Sequence, residues 1–252
     1  KAVKHLHHNM KICKWKYGEK NCAVIKIDVR KYFYSIDRDI LKKILVKKIK
    51  DKNLLKRLFK VIDSSPEGET GIPLGNVTSQ DFANIYLNEL DQYCVRFLGI
   101  KYYTRYMDDI VIVVPPKTKV VDGVEVIETK ALDIARDWLE KIKIYLDERL
   151  NLKTNDKTKI FPLSQGVNAF GFKLHTTHRL IRDQSKRAMK RRIKAMDKKL
   201  KNNEIELKDV TQAVNSWLGH ARHSNSYNLA KKIFAPYPYI KVEGEIYFGG
   251  IL

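Results

Sequence analysis

The four residues Tyr106-Met107-Asp108-Asp109 constrain this chain more than any other stretch, set as they are between Lys101-Tyr102-Tyr103-Thr104-Arg105 and Ile110-Val111-Ile112-Val113-Val114. Both flanks are rich in β-branched and aromatic residues and read as strands, so the four between them read as a hairpin. Two adjacent carboxylates at a tight turn between apolar strands repel each other, and one stays protonated unless a cation neutralises the pair. A divalent metal held by oxygen ligands meets that need. An ordinary Asp-containing turn is the competing reading.

A third carboxylate shifts the balance. Asp28 lies near the end of a β-branched strand, Ala23 to Val29, where burying its charge is costly unless it is paired or metal-bound. An Asp at a strand end and two at a hairpin tip can converge at one sheet edge. Such a cluster can hold two Mg²⁺ ions ~4 Å apart, one activating an attacking hydroxyl and one bracing a leaving pyrophosphate. Phosphoryl transfer asks for little beyond in-line positioning and charge neutralisation. Phosphodiester hydrolysis by a nuclease is the alternative chemistry.

Charge narrows the partner. Lys and Arg number 49 against 29 Asp and Glu, a net of +20, and such an excess favours a polyanion. No apolar stretch is long enough to span a bilayer, and no signal peptide or lipidation signal is visible, so nucleic acid is favoured over a membrane. Cys13, Cys22 and Cys94 have no Cys-x-x-Cys spacing, which fits a reducing compartment, and the expected location is the cytoplasm. With 252 residues, 44% of them hydrophobic, the chain can bury a core in one large or two modest domains.

Periodicity predicts a helical stretch from about Arg38 to Ile62, then a breaker-rich loop from Ser64 to Gly75. Thr78 or Ser79 is a suitable N-cap for the next helix, whose core side includes Phe82, Ile85, Tyr86 and Leu90. Beyond the Asp-Asp hairpin, Val120 to Ile127, broken by Asp122-Gly123, predicts a small extra hairpin. A helix over about Lys130 to Leu150 and short strands near 157–161 and 168–175 follow. Strands separated by packed helices predict a mixed sheet covered by helices. From Arg182 to Lys201 there are ten Lys or Arg and two acids, a net of +8. Met189, Ile193, Met196 and Leu200 form one apolar stripe on that helix, leaving the rest basic. A solvated face is the plain reading, but the imbalance favours phosphate contact. A second helical segment over about Leu207 to Phe234 completes an all-helical module.

Asp28-Val29-Arg30-Lys31-Tyr32-Phe33-Tyr34-Ser35-Ile36-Asp37 resembles the first catalytic motif of reverse transcriptases, and Tyr106-Met107-Asp108-Asp109 resembles their signature hairpin. Leu74-Gly75-Asn76-Val77-Thr78-Ser79-Gln80 resembles a third motif that in most of the family reads Gln-Gly-x-x-x-Ser-Pro. Their order and the helix between them also match, and the likeness runs from about residue 20 to 235. It implies an α+β fold, a right-hand polymerase palm plus a helical thumb, with residues 23–181 as palm and 182–235 as thumb. The palm would include fingers elements and the insertion near 115–129. Asp28 lies 28 residues from the start, so either the sequence is a fragment or the fingers are truncated and activity depends on a partner, with 1–22 as their remnant and 236–252 as a tail.

The resemblance implies that Asp28 and Asp108 ligate the catalytic Mg²⁺ ions (Mn²⁺ is an alternative), with Asp109 assisting and the Val29 carbonyl as a further ligand. Phe33 matches the position beneath the incoming sugar, where a ring would clash with a ribose 2′-hydroxyl; a core aromatic is the plain alternative. Gly75 and Gln80 flank the nucleotide site with Leu74. Leu74 in place of Gln, together with Gln80 in place of Pro, resembles the reverse transcriptases of diversity-generating retroelements, which copy a template RNA with frequent errors at adenines. A Leu cannot hydrogen-bond to the nascent pair as a Gln can. Asp156-Lys157-Thr158 resembles the motif whose Lys protonates departing pyrophosphate, with Lys159 as the rival candidate. Ala169-Phe170-Gly171-Phe172 resembles the primer-grip turn. Arg182, Lys186, Arg187, Lys190, Arg191 and Lys194 would follow an RNA–DNA hybrid by charge and shape. The implied partners are template RNA, deoxynucleotides and a small basic accessory protein; the implied source is bacterial, archaeal or phage. A retron-like or defence-associated enzyme and a non-catalytic nucleic-acid scaffold are the rivals. The histidine pairs, such as His175 with His178, lack a third ligand at zinc spacing.

Overall fold

In the computed structural model the described residues are 1–64, 68, 70–73 and 75–240. They divide into two compact units, Lys1–Gln165 and Gly166–Leu252.

The first unit is built on four strands: β1 (Ala23–Asp28), β2 (Tyr103–Tyr106), β3 (Asp109–Val114) and β6 (Lys159–Pro162), in the order β2-β3-β1-β6. All three ladders are antiparallel, so the sheet is not mixed as the sequence suggests. The hairpin supplies two opposed strands, and the chain seats β3 rather than β2 beside β1, which fixes the antiparallel sense. Side chains alternate across this sheet. Ala23, Ile25, Ile27, Ile110, Ile112 and Val114 face one core with Leu41 and Leu45 of α3 (Arg38–Lys48), Tyr86 and Leu90 of α5 (Val77–Gln92), and Ile142 and Leu146 of α6 (Ala131–Leu150). Helix α1 (Ala2–Tyr17) lies against β2 and β3 and buries Leu6, Met10 and Cys13. His5 and Asn9 of α1 reach the Thr104 hydroxyl, which points away from the face carrying Tyr103 and Arg105. Among the described residues no helix is long and apolar enough to cross a membrane.

The stretch expected as one helix over 38–62 is two, α3 and α4 (Lys52–Asp63), after the one-turn α2 (Tyr32–Ser35). The break falls at Asp51, whose carboxylate accepts from the backbone N–H groups of Asn53 and Leu54 and restarts the helix. Helix α5 starts from Asn76 rather than from Thr78 or Ser79, with no side-chain cap bond from Asn76. Ser79 is buried, and its hydroxyl donates to the Pro73 carbonyl instead. The expected insertion is β4 (Lys117–Val121) paired with β5 (Val124–Thr129) as a separate two-stranded sheet. Asp122 and Gly123 both take positive φ, as a type I′ turn requires.

The second unit opens with an antiparallel meander, β7 (Val167–Ala169), β8 (Phe172–Leu174) and β9 (Arg179–Ile181). Helices α7 (Asp183–Lys201), α8 (Leu207–Ala221) and α9 (Tyr227–Phe234) follow, so the expected second helical segment is also two helices. Met189 and Ile193 bury their stripe against Val210, Val214, Ile233 and Phe234, with Met196 and Leu200 at its edge. The division falls at 165/166 and not at 181/182 because the meander is welded to these helices. Ile181 belongs to their core, Phe172 stacks on His220 with centroids 4.6 Å apart, and Arg179 exchanges two hydrogen bonds with Asn225. Residues 182–235, expected to be all-helical, hold only α7, α8 and α9, and the three strands precede them within the same unit. Of the expected tail, 241–252 lie outside the described residues.

Candidate active site

The register of the sheet makes the site. Asp28 stands directly across the ladder from Asp109, and the two share the face opposite the Ile25–Ile27 core. Asp108 is one residue away, in the turn that joins Tyr106 to Asp109. Burial raises the Asp108 carboxyl above the usual carboxylate range. The negative charges of Asp28 and Asp109 push it further, against a hydrogen bond to its own backbone that lowers it. Asp108 thus feels the like charge of both other acids in addition to its burial.

Two lysines stand beside the other two acids. Lys26, two residues before Asp28 on the same face, places Nζ 3.4 Å from Asp109 Oδ1, diagonally across the ladder. Lys157 places Nζ 3.9 Å from Asp28 Oδ2 while its side chain is 80% exposed. Of the two sequence candidates for a proton donor, Lys157 is thus the one near an acid. Lys159 sits on β6 opposite Lys26.

The turn that carries Lys157 also grips Asp28. Asn155 Nδ2 donates to Asp28 Oδ2 at 2.6 Å, and the Asn155 backbone N–H donates to the Asp28 carbonyl at 3.0 Å. The Asp28 N–H donates to Thr158 Oγ1 at 3.1 Å, and Asn155 Oδ1 accepts from the Lys157 N–H at 2.7 Å. Two residues on, Arg30 N–H donates to the Lys153 carbonyl, and Val29 is bridged to Thr154 and buried. The motif Asp156-Lys157-Thr158 marks this turn in the sequence, but nothing in it marks Asn155 beyond an ordinary turn pattern.

The chain after β1 turns sharply through Lys31, which has a φ of 44°. Phe33 follows in α2, half-buried against the main core and edge-on to Tyr32, whose hydroxyl donates to the Ala83 carbonyl of α5. The Phe33 carbonyl accepts from Ile72 N–H, and the buried Arg38 donates to the carbonyls of Thr70 and Gly71. Those bonds tie the loop before α5 beneath Phe33. A Cβ on Gly71 (φ 87°) would lie 3.2 Å from the Tyr34 carbonyl oxygen, which explains a glycine there. Gly75 and Gln80 are exposed at the start of α5, and among the described residues no hydrogen bond links either to the three acids. Leu74 lies outside the described residues.

In the second unit, Phe170 and Gly171 both take positive φ and form the type I′ turn of the expected primer-grip hairpin. Arg187, Lys190, Arg191 and Lys194 are exposed along α7, Arg182 and Lys186 are half-buried, and Lys186 pairs with Asp183 at 2.9 Å.

The donors at the first site are all oxygens, a set suited to a hard divalent cation. As the side chains stand, no group of three or more His, Cys, Asp or Glu among the described residues converges as a metal site. The fit therefore rests on the backbone register and on the charge repulsion felt by Asp108.

Comparison with known proteins gives a consistent set. The pattern of the family described as "Reverse transcriptase (RNA-dependent DNA polymerase)" matches residues 3–174. Protein YkfC of Escherichia coli is 26% identical over 226 residues, 74% of this chain and 54% of that protein. The COX1/OXI3 intron 2 protein of Saccharomyces cerevisiae is 30% identical over 100 residues, 36% of this chain and 11% of that protein. The chain thus spans about half or less of the curated relatives it matches. Among solved structures, a telomerase from Candida albicans, in complex with a fragment of telomeric RNA, covers 94% of this chain and 43% of its own with a TM-score of 0.53. At 13% identity that likeness speaks to the fold alone.

Proposed function

The chain belongs to the reverse transcriptase (RNA-dependent DNA polymerase) family, and on that footing we propose that it extends a nucleic-acid 3′-hydroxyl with deoxynucleotides copied from an RNA template. The observation that carries this reading is the pairing of Asp28 with Asp109 across one ladder, with Asp108 beside them. Asp28, Asp108, Asp109 and the Val29 carbonyl are the groups that would hold Mg²⁺, or Mn²⁺ in its place. A bound pair of such ions activates the attacking hydroxyl and steadies the leaving pyrophosphate.

The chain's own residues do the rest. Asn155 and Thr158 fix the orientation of Asp28. Lys157, exposed and next to Asp28, is placed to hand a proton to pyrophosphate as it leaves. The ring of Phe33 excludes a ribose 2′-hydroxyl and so selects deoxynucleotides. In the second unit, the basic side of α7 holds the RNA–DNA hybrid by its phosphates. The first unit would supply the palm, and the helices within 182–235 the thumb.

The finer assignment is to the error-prone enzymes of diversity-generating retroelements, supported by Leu74 and Gln80. Such an enzyme works in the cytoplasm of a bacterium or archaeon, or is phage-encoded, with a small basic accessory protein. Purified protein given primer, RNA template, deoxynucleotides and Mg²⁺ is expected to make DNA, and Asp108→Ala to make none. An Asp108→Ala variant as active as wild type sinks the polymerase reading. Product sequences without excess substitutions at template adenines sink the error-prone assignment alone.

A further inference from the structure

The turn that carries Asp108 is pinned from behind. Arg105, in β2, sends its guanidinium onto α5, where Nε donates to Asp91 Oδ1 at 2.8 Å and Nη2 to Asp91 Oδ2 at 2.6 Å. Nη1 donates to Asn84 Oδ1 and to the Met107 carbonyl, each at 3.0 Å. The Tyr103 hydroxyl donates to Asp91 Oδ1 at 2.6 Å, and Asn84 Nδ2 lies 3.5 Å from Met107 Sδ. The Arg105 side chain is only 12% exposed.

Met107 is the reason for such an anchor. Its φ of 54° is left-handed, a conformation that L side chains adopt at a cost and hold only where the surroundings impose it. Asn84 and Asp91 are seven residues apart on α5, two turns along one face, so a rigid helix offers two fixed points. A planar fork that bonds a carboxylate with one edge and a carbonyl with the other suits arginine; the point charge of a lysine cannot reproduce it.

We infer that Arg105, oriented by Asp91 and Asn84, is a positioning residue of the polymerase reaction: it fixes the Met107 carbonyl and so sets how Asp108 and Asp109 are presented. This rests on the polymerase reading above. It adds a role outside the acids, for residues on the far side of the sheet from Asp28 and Asp109.

The test compares wild type with Arg105→Lys and Asp91→Asn, which keep side-chain size and some hydrogen bonding. Hydrogen–deuterium exchange is followed at the amides of residues 106–109, alongside the melting temperature and steady-state kcat and KM for a deoxynucleotide. In Arg105→Lys, exchange at Met107 and Asp108 is expected to speed up about tenfold, with the rest of the first unit unchanged. The kcat should fall about 10- to 100-fold, the loss typical of removing a group that orients a catalytic ligand, with KM within about twofold. Asp91→Asn should move both readouts in the same direction and by less. Unchanged exchange at the turn overturns the inference, as does a uniform rise across the unit with kcat and KM shifting together. If wild type makes no DNA, the polymerase reading fails by itself, and the exchange arm still decides whether Arg105 holds the turn.

Discussion

The carboxamide of Asn155 grips the Asp28 carboxylate from 127 residues along the chain, at 2.6 Å. Removing it leaves an oxygen of Asp28 without its donor and frees the carboxylate to rotate. Asn155→Ala should therefore lower polymerase activity about 10- to 100-fold, with a stability loss of about 1 kcal/mol. Asn155→Asp should be worse, because a second negative charge then faces Asp28. Single-nucleotide incorporation by the three proteins checks this, and an Asp variant equal to wild type would show that the contact is idle.

Asp108 links the site to pH. Its carboxyl is held above the ordinary range in the folded protein, by burial first and by Asp28 and Asp109 after it. Its ionised form therefore costs folding free energy. That cost is absent below the ordinary carboxylate range near 3.9 and grows as pH rises through the raised value. In EDTA at pH 7, Asp108→Asn should melt about 1–3 °C above wild type. The gap should close as pH is lowered towards 4. Added Mg²⁺ should then stabilise wild type and not the variant. A variant that melts below wild type at pH 7 would contradict the repulsion.

Phe33 is half-buried against the core, so a modest truncation keeps the packing while opening space above it. Phe33→Val should let ribonucleotides in, raising their kcat/KM relative to deoxynucleotides by at least about tenfold, at a stability cost of about 1–2 kcal/mol. Competition between dCTP and CTP on one template measures it. Unchanged discrimination would return Phe33 to a purely structural role.

The exposed cations of α7 should act through phosphates. Lys190→Ala with Lys194→Ala should weaken binding to an RNA–DNA hybrid of any sequence. The slope of log K against log salt should fall by about 2, one for each phosphate no longer neutralised. A salt titration followed by fluorescence anisotropy gives the slope, and a slope equal to wild type would leave that face merely solvated.

Much of this architecture is legible in the sequence because it is local. Alternating β-branched residues announce β1 and β3, Asp-Gly announces the β4–β5 turn, and the stripe Met189-Ile193-Met196-Leu200 announces the buried side of α7. What escapes reading is tertiary. Nothing in the spacing of Asn155 and Thr158 points to Asp28, and nothing near Arg105 points to Asp91, since each pairing exists only once distant elements meet. The long helix expected over 38–62 overlooks a single capping residue, Asp51, whose carboxylate competes with helix continuation. In sequence the strands of the meander look like further palm sheet; Ile181 and Phe172 commit them to the helices instead.

The small sheet of β4 and β5 has no ladder to the main sheet. Its outward valines, Val120 and Val124, are 71% and 62% exposed. Its first and last residues, Lys117 and Thr129, are paired, so the excursion leaves and rejoins the chain at nearly one point. Length changes there should leave the alignment of Asp28 with Asp109 untouched. The loop is thus a natural port for grafting a tag, a reporter or a foreign recognition element, with the chemistry insulated from whatever is attached.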